Sequence, residues 1–129
     1  MRLLLDTHAF LWWLADDPAL PVAARDAIAA PGTRVHVSAA TAWEITTKYR
    51  IGKLPAASLV AADVAAEIAA EGFVELPVTV RHAQRAGAIS GPHKDPFDRM
   101  LIAQSLEETL TLVSNETLFD GYGVTRLWV

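Results

Sequence analysis

"RLLLDTHAFLWWLADD", residues 2 to 17, is the stretch on which the fold turns. Three leucines in a row read as a short buried strand, and Asp6 ends it. The next residues, from Thr7, read as a helix that Pro18 stops. A buried strand that hands straight to a helix is the repeating unit of an α/β protein. The aspartate at the junction lies where such proteins place their chemistry.

Working outward, the same alternation continues. "PVAARDAIAAPG" (residues 21–32) is a helix with Pro21 near its first turn and Pro31-Gly32 closing it. "RVHVS" (34–38) is a strand, and Ser38 is a good N-cap for the helix "AATAWEITTKYRIG" (39–52), which Gly52 ends. "LVAADVAAEIAAEG" (59–72) reads as one helix, apolar around most of its circumference. "FVELPV" (73–78) holds a short strand, and Thr79 caps the helix that follows. "DPFDRMLIAQSLEET" (95–109) is a helix. "LTLVS" (110–114) and "VTRLWV" (124–129) are the last strands. The expected fold is a three-layer α/β sandwich with a mostly parallel central sheet, built as one domain over residues 1–129.

Composition removes several classes of chemistry. Hydrophobic residues make up 52% of the 129 positions, enough for a real core and more than a small domain needs for itself. There is no cysteine, so disulfides, thiolate zinc sites and cysteine nucleophiles are ruled out. No apolar run approaches the ~20 residues of a membrane span, and a cytoplasmic location is expected. His8, His36, His82 and His93 are scattered without zinc spacing. Glycine-rich phosphate loops and a GxSxG elbow are absent. A net charge of −4 gives no hint of nucleic acid, although clustered acids would mask a basic rim.

Oxygen ligands remain. Asp6 ends a strand, and it also suits the N-cap of the next helix. Glu44 lies mid-helix with Lys48 one turn on; taken alone it reads as an exposed i,i+4 ion pair. Its large apolar flanks, Trp43 and Ile45, point instead to a cleft edge. Asp95, Pro96 and Asp98 form a good helix start, with Asp95 at N-cap and Asp98 facing the positive end of the helix dipole. Capping explains both acids but not the His93, Lys94 and Arg99 around them. Carboxylates gathered at one sheet end repel, and a hard divalent cation resolves that repulsion. Metal-dependent phosphodiester hydrolysis suits such a site.

These residues resemble the PIN-domain ribonucleases, and within them the VapC toxins of toxin–antitoxin pairs. The resemblance runs through four blocks in order over nearly the whole chain. They are "LLLDTHAFLWWL" with Asp6, "VSAATAWEITTKYRIGKL" with Glu44, "HKDPFDRMLIAQS" with Asp98 and an additional Asp95, and "LTLVSNETLFDGYGV". It implies a Mg²⁺- or Mn²⁺-dependent endoribonuclease in which Asp6, Glu44 and Asp98 hold the metal and the attacking water, with Asp95 at the margin. In the fourth block Ser114 stands for the family's threonine and Glu116 for its acid. Glu116 is one methylene longer, which leaves it a water-mediated role or none. The resemblance also implies a homodimer and a cognate VapB-like antitoxin that threads along the toxin, and the apolar 59–71 stretch suggests the groove. Basic residues near the acids, Lys48, Lys94 and Arg99 foremost, are the expected RNA contacts, holding phosphates without reading sequence.

Other readings fit less well. A phosphotransfer receiver needs an aspartate ending its third strand, and "FVELPV" has none. A haloacid-dehalogenase-like phosphatase needs DxD where this chain has Asp6-Thr7-His8. A PIN fold kept as a catalytically silent RNA-binding or scaffold module is the alternative that an RNA cleavage assay separates.

Overall fold

The computed structural model describes all residues 1–129. Five strands, β1 (Arg2–Leu5), β2 (Arg34–Ser38), β3 (Val74–Leu76), β4 (Thr111–Val113) and β5 (Arg126–Leu127), form one sheet in the order β3-β2-β1-β4-β5. Every pairing is parallel. The expected mostly parallel sheet is therefore wholly parallel, with β1 at its centre.

β1 is covered on both faces, as its three leucines require. Leu3 and Leu5 point into a core shared with Phe10, Leu20, Val35, Val37 and Ile45. Leu4 points the opposite way, into a second core with Leu101, Ile102, Leu112 and Phe119. The first layer holds helices α1 (Thr7–Leu14), α2 (Val22–Ala29) and α3 (Ala39–Arg50). The second is dominated by α7 (Pro96–Glu108), with α6 (Val80–Ala88) packed against it. Sheet and two helical layers make the expected three-layer sandwich.

Caps fall where the residue types demand. The Ser38 hydroxyl accepts from the Ala40 amide at 3.0 Å, and the Asp95 carboxylate accepts from the Phe97 and Asp98 amides at 2.8 and 3.1 Å. Thr79 caps α6 and shares a reciprocal capping box with His82, an unusual N3 partner that takes the place of the common Glu or Gln.

Two local readings need correction. The single helix expected over 59–72 is broken into α4 (Ser58–Ala62) and α5 (Val64–Ala70). Asp63 sits between them in an extended conformation, φ −160°, and caps α5 by accepting from the Ala66 amide. Aspartate competes with the helical backbone for hydrogen bonds, so it starts a new helix rather than continuing the old one. The all-round apolar pattern was therefore two short helices read as one: α5 buries Val64 and Ile68, whereas α4 buries nothing. Similarly, α1 ends at Leu14, ahead of Pro18, because Asp16 turns into the left-handed region at φ 51°. No helix is long and apolar enough to cross a membrane.

Candidate active site

Three neighbouring parallel strands end close together, and an oxygen-bearing side chain stands at the carboxyl end of each. Asp6 leaves β1 and caps α1, accepting from the Ala9 amide at 2.8 Å. Ser38 ends β2 and starts α3, whose second turn carries Glu44 back over β1. Beyond β4, the Ser114 hydroxyl accepts from the Glu116 amide at 3.0 Å. The first turn of α7 adds Asp95 and Asp98. Together with Thr7, His8 and Lys48, these acids line one cavity of about 170 Å³ that has no apolar residue in its wall. Two larger cavities are lined mostly by apolar side chains.

Glu44 is not the exposed ion pair it resembles in isolation. It is 4% exposed. One carboxylate oxygen accepts from the Thr7 hydroxyl and the other from the Lys48 ammonium, both at 2.5 Å. The i,i+4 partner is the anticipated one, but it lies inside the cavity wall, where water screens the pair far less than at a free surface. Asp98 has its own partner, the His93 imidazole at 2.8 Å.

Five carboxylates crowd this cavity, and their proton affinities show the strain. Burial pushes the Asp6 carboxyl up to about 6. The Ser114 hydroxyl, the Ala9 amide and the His8 charge oppose that rise, while the Asp98 charge adds to it. Burial also raises Asp98; the His93 hydrogen bond works against this, and the charges of Asp95 and Glu44 reinforce it. Lys48 responds in the opposite sense. Partial burial disfavours its charge, but the Glu44 carboxylate, with Asp95 and Asp98 behind it, outweighs burial and raises its pKa.

The donors suit a hard divalent cation. They are carboxylate and hydroxyl oxygens, with no sulfur and no converging histidines. No three acidic or histidine side chains close into a ready coordination shell. An open, oxygen-lined cavity fits a hard ion that binds carboxylates and keeps several of its waters. Added positive charge would relieve the repulsion that raises Asp6 and Asp98.

The expected site residues fall into two groups. Asp6, Glu44, Asp95, Asp98 and Lys48 come together in the cavity, and Glu116 joins them. Lys94 is exposed beside it. Arg99 does not face the cavity as an RNA contact would. Its guanidinium donates to the carbonyls of Ala86, Ile89 and His93. It ties the loop before α7 to the helix rather than reaching outward for a phosphate. Thr7, His8 and His93 were not assigned to the site from sequence. Thr7 and His8 follow Asp6 directly, and His93 opens the "HKDPFD" turn that capping left unexplained.

Comparisons with known proteins agree with this architecture. The PIN domain family model matches residues 3–124. No curated protein matches the chain. Among solved structures, VapBC2 from Rickettsia felis, bound to a DNA fragment from its promoter, is similar at TM-score 0.74 and 14% identity, with both chains covered completely. VapBC-1 from nontypeable Haemophilus influenzae is similar at TM-score 0.67 and 14% identity, covering 98% of this chain and 97% of the other. FitAB bound to an IR36 DNA fragment is similar at TM-score 0.68 and 20% identity, covering 98% and 94%. At these identities the likeness speaks for the fold. The family model spans four of the five strands, every helix and every acid of the cavity, and the chain belongs to the PIN domain family.

Proposed function

We propose that this chain is a Mg²⁺- or Mn²⁺-dependent endoribonuclease, the toxin of a toxin–antitoxin pair, acting in the cytoplasm. The observation that carries the reading is the cavity in which Asp6, Glu44 and Asp98 arrive from β1, α3 and α7 at the carboxyl end of a parallel sheet. PIN domains are generally nucleases and typically use divalent metals. RNA as the substrate rests on the four-block resemblance.

Asp6, Glu44 and Asp98 would hold the metal. When bound, it lowers the pKa of a water and steadies charge on a phosphate oxygen. The chain's own residues set the stage for this. Asp95 caps α7 and thereby fixes the turn that carries Asp98. Lys48 stands at the cavity wall, where its ammonium neutralises Glu44 in the resting protein and is in reach of an incoming phosphate. Exposed Lys94 offers a further cation beside the cavity.

Two apolar surfaces fit two protein partners. A groove of about 450 Å³ runs between α1 and the 53–60 segment, lined by Leu11, Trp12, Leu54 and Leu59 among others. His8 lines both this groove and the acid cavity. A VapB-like antitoxin strand laid in the groove would therefore arrive at the active site, as an inhibitor must. Elsewhere on the surface, Trp43 (63% exposed) and Val78 line one apolar cavity, and Val80 (84%) follows two residues on. A second copy of the chain covering that face accounts for the high apolar content.

The test of activity is cleavage of a structured RNA by the purified protein, with Mg²⁺ or Mn²⁺ required. Full cleavage in excess EDTA would defeat the metal reading, and no cleavage under any metal would favour the silent scaffold. Leu59→Glu should abolish antitoxin binding and leave cleavage intact. Light scattering should show a dimer at micromolar concentration.

A further inference from the structure

His93 belongs to none of the roles above, yet its backbone N–H, its carbonyl and its ring are all held. Its backbone N–H donates to the Tyr122 hydroxyl at 3.0 Å. Its carbonyl accepts from Arg99 at 3.0 Å. Its ring meets the Asp98 carboxylate at 2.8 Å. The holding groups come from separate places in the chain. Arg99 and Asp98 are on the first turn of α7, and Tyr122 ends the 3₁₀ segment Thr117–Tyr122 beyond β4.

The rest of the loop follows from the same arrangement. Arg99 also binds the carbonyls of Ala86 and Ile89, so the end of α6 and the loop after it are tied to α7. Gly91 lies under the Tyr122 ring at φ 137°, where a Cβ would strike the ring. Only glycine fits both the space and the backbone angle. An ordinary surface ion pair needs none of this, because long side chains in water find each other without a fixed backbone.

We infer that His93 is the positioning residue for Asp98: it holds one carboxylate oxygen so that the other is presented to the cavity. This inference rests on the reading of the cavity as a divalent-metal site. The geometry is asymmetric in the required way. The Asp98 Oδ2 atom takes the imidazole, and Oδ1 has no partner within the protein. Glu44 differs, since Thr7 and Lys48 occupy both its oxygens. A carboxylate that binds a metal through one oxygen is aimed by the donor on its other oxygen, and loss of such a donor commonly weakens metal binding about 10–100-fold. In the tautomer that serves this role, Nε2 carries the hydrogen and donates it to Oδ2. Arg99 and Tyr122 act one step further out, by fixing His93.

The test is Mn²⁺ binding by the intact chain, followed by the electron paramagnetic resonance signal of free Mn²⁺, with a thermal melt of each variant without metal. His93→Ala should bind about 10–100-fold more weakly. His93→Gln, whose amide can donate from nearly the same place, should recover most of the loss. Tyr122→Phe removes one clamp and should fall between them. In an Asp98→Asn background, His93→Ala should cost nothing further. Wild-type affinity in a folded His93→Ala protein would overturn the inference while leaving the metal reading intact. Further loss in the Asp98→Asn background would overturn it too, by making His93 a ligand in its own right. Should His93→Ala fail to fold, His93→Gln binding as weakly as Asp98→Asn would count against it. Absence of Mn²⁺ binding by the unaltered chain would remove the metal reading itself, and this inference with it.

Discussion

At the start of α7, His93 meets Asp98 at 2.8 Å; near its end, His82 meets Glu108 at the same distance. The pairs use the same atoms and differ in company. His82 is 1% exposed. Its Nδ1 accepts from the Thr79 amide at 3.1 Å, with the Gln104 amide nitrogen 3.3 Å away, and its own backbone N–H donates to Thr79. No other carboxylate belongs to this network, and Glu108 reaches solvent. At the other end, Asp98 stands among Asp6, Glu44, Asp95 and Glu116, and burial and like charge raise its proton affinity. A histidine–carboxylate contact therefore says little by itself. Uncharged neighbours make it a structural joint, and crowded carboxylates make it part of a site.

Three substitutions sharpen that contrast. The largest effect should come from Asp98→Asn. Asparagine keeps the size and most hydrogen bonds, so the protein should fold, yet RNA cleavage should drop at least ~1000-fold, about 4 kcal/mol of barrier. Near-normal cleavage rates would reduce the "DPFD" turn to a helix cap.

Next is Asp6→Asn, read in the metal-free protein. The folded carboxyl sits at about 6, above its ordinary 3.8. The folded state thus holds the proton more tightly than the unfolded chain. This favours folding at low pH, and the advantage is lost as pH rises from 3.8 to 6 and stays lost above. Removing the charge should stabilise the metal-free protein at pH 7 by up to about 3 kcal/mol. Asparagine still caps α1. Urea melts of both proteins at pH 4 and pH 7 would check it: the gap should be wide at pH 7 and nearly closed at pH 4. Equal gaps would mean that Asp6 carries no such strain.

The smallest expected change is at the far end of α7. His82→Ala leaves a buried void and orphans the Thr79 amide, at a cost of about 2–3 kcal/mol. Cleavage per folded molecule should not change. A selective loss of cleavage, with the melt unmoved, would break the distinction between the two ends.

Much of the architecture was legible in the residues because the forces that set it are local. A buried triple leucine makes a strand, Ser38, Thr79 and Asp95 start helices within three residues of themselves, and Gly52 ends one at φ 81°. Asp6, Asp95 and Asp98 could be named for the same reason, since each lies at a strand end or a helix start, whereas mid-helix Glu44 was named through the four-block resemblance. Hydrophobic patterning was less reliable where a cap intervened: Asp63 split a continuous apolar run, because one side-chain hydrogen bond to a backbone amide redirects the chain more strongly than apolar residues keep it going.

The sequence by itself determined the alternation of strands and helices, their caps, and which carboxylates were available. Only the tertiary structure decided what those carboxylates meet. The order β3-β2-β1-β4-β5 places the ends of β2 and β4 on either side of β1. That brings Thr7 onto Glu44, 37 residues away, and buries a glutamate whose local sequence looks like surface. It also turned Arg99 from an expected RNA contact into a clamp on three carbonyls, and gave His93 a carboxylate to hold. The physical reason is range. Capping and periodicity act within a few residues along the chain, whereas burial, charge crowding and carbonyl capture depend on which distant segments the sheet sets side by side.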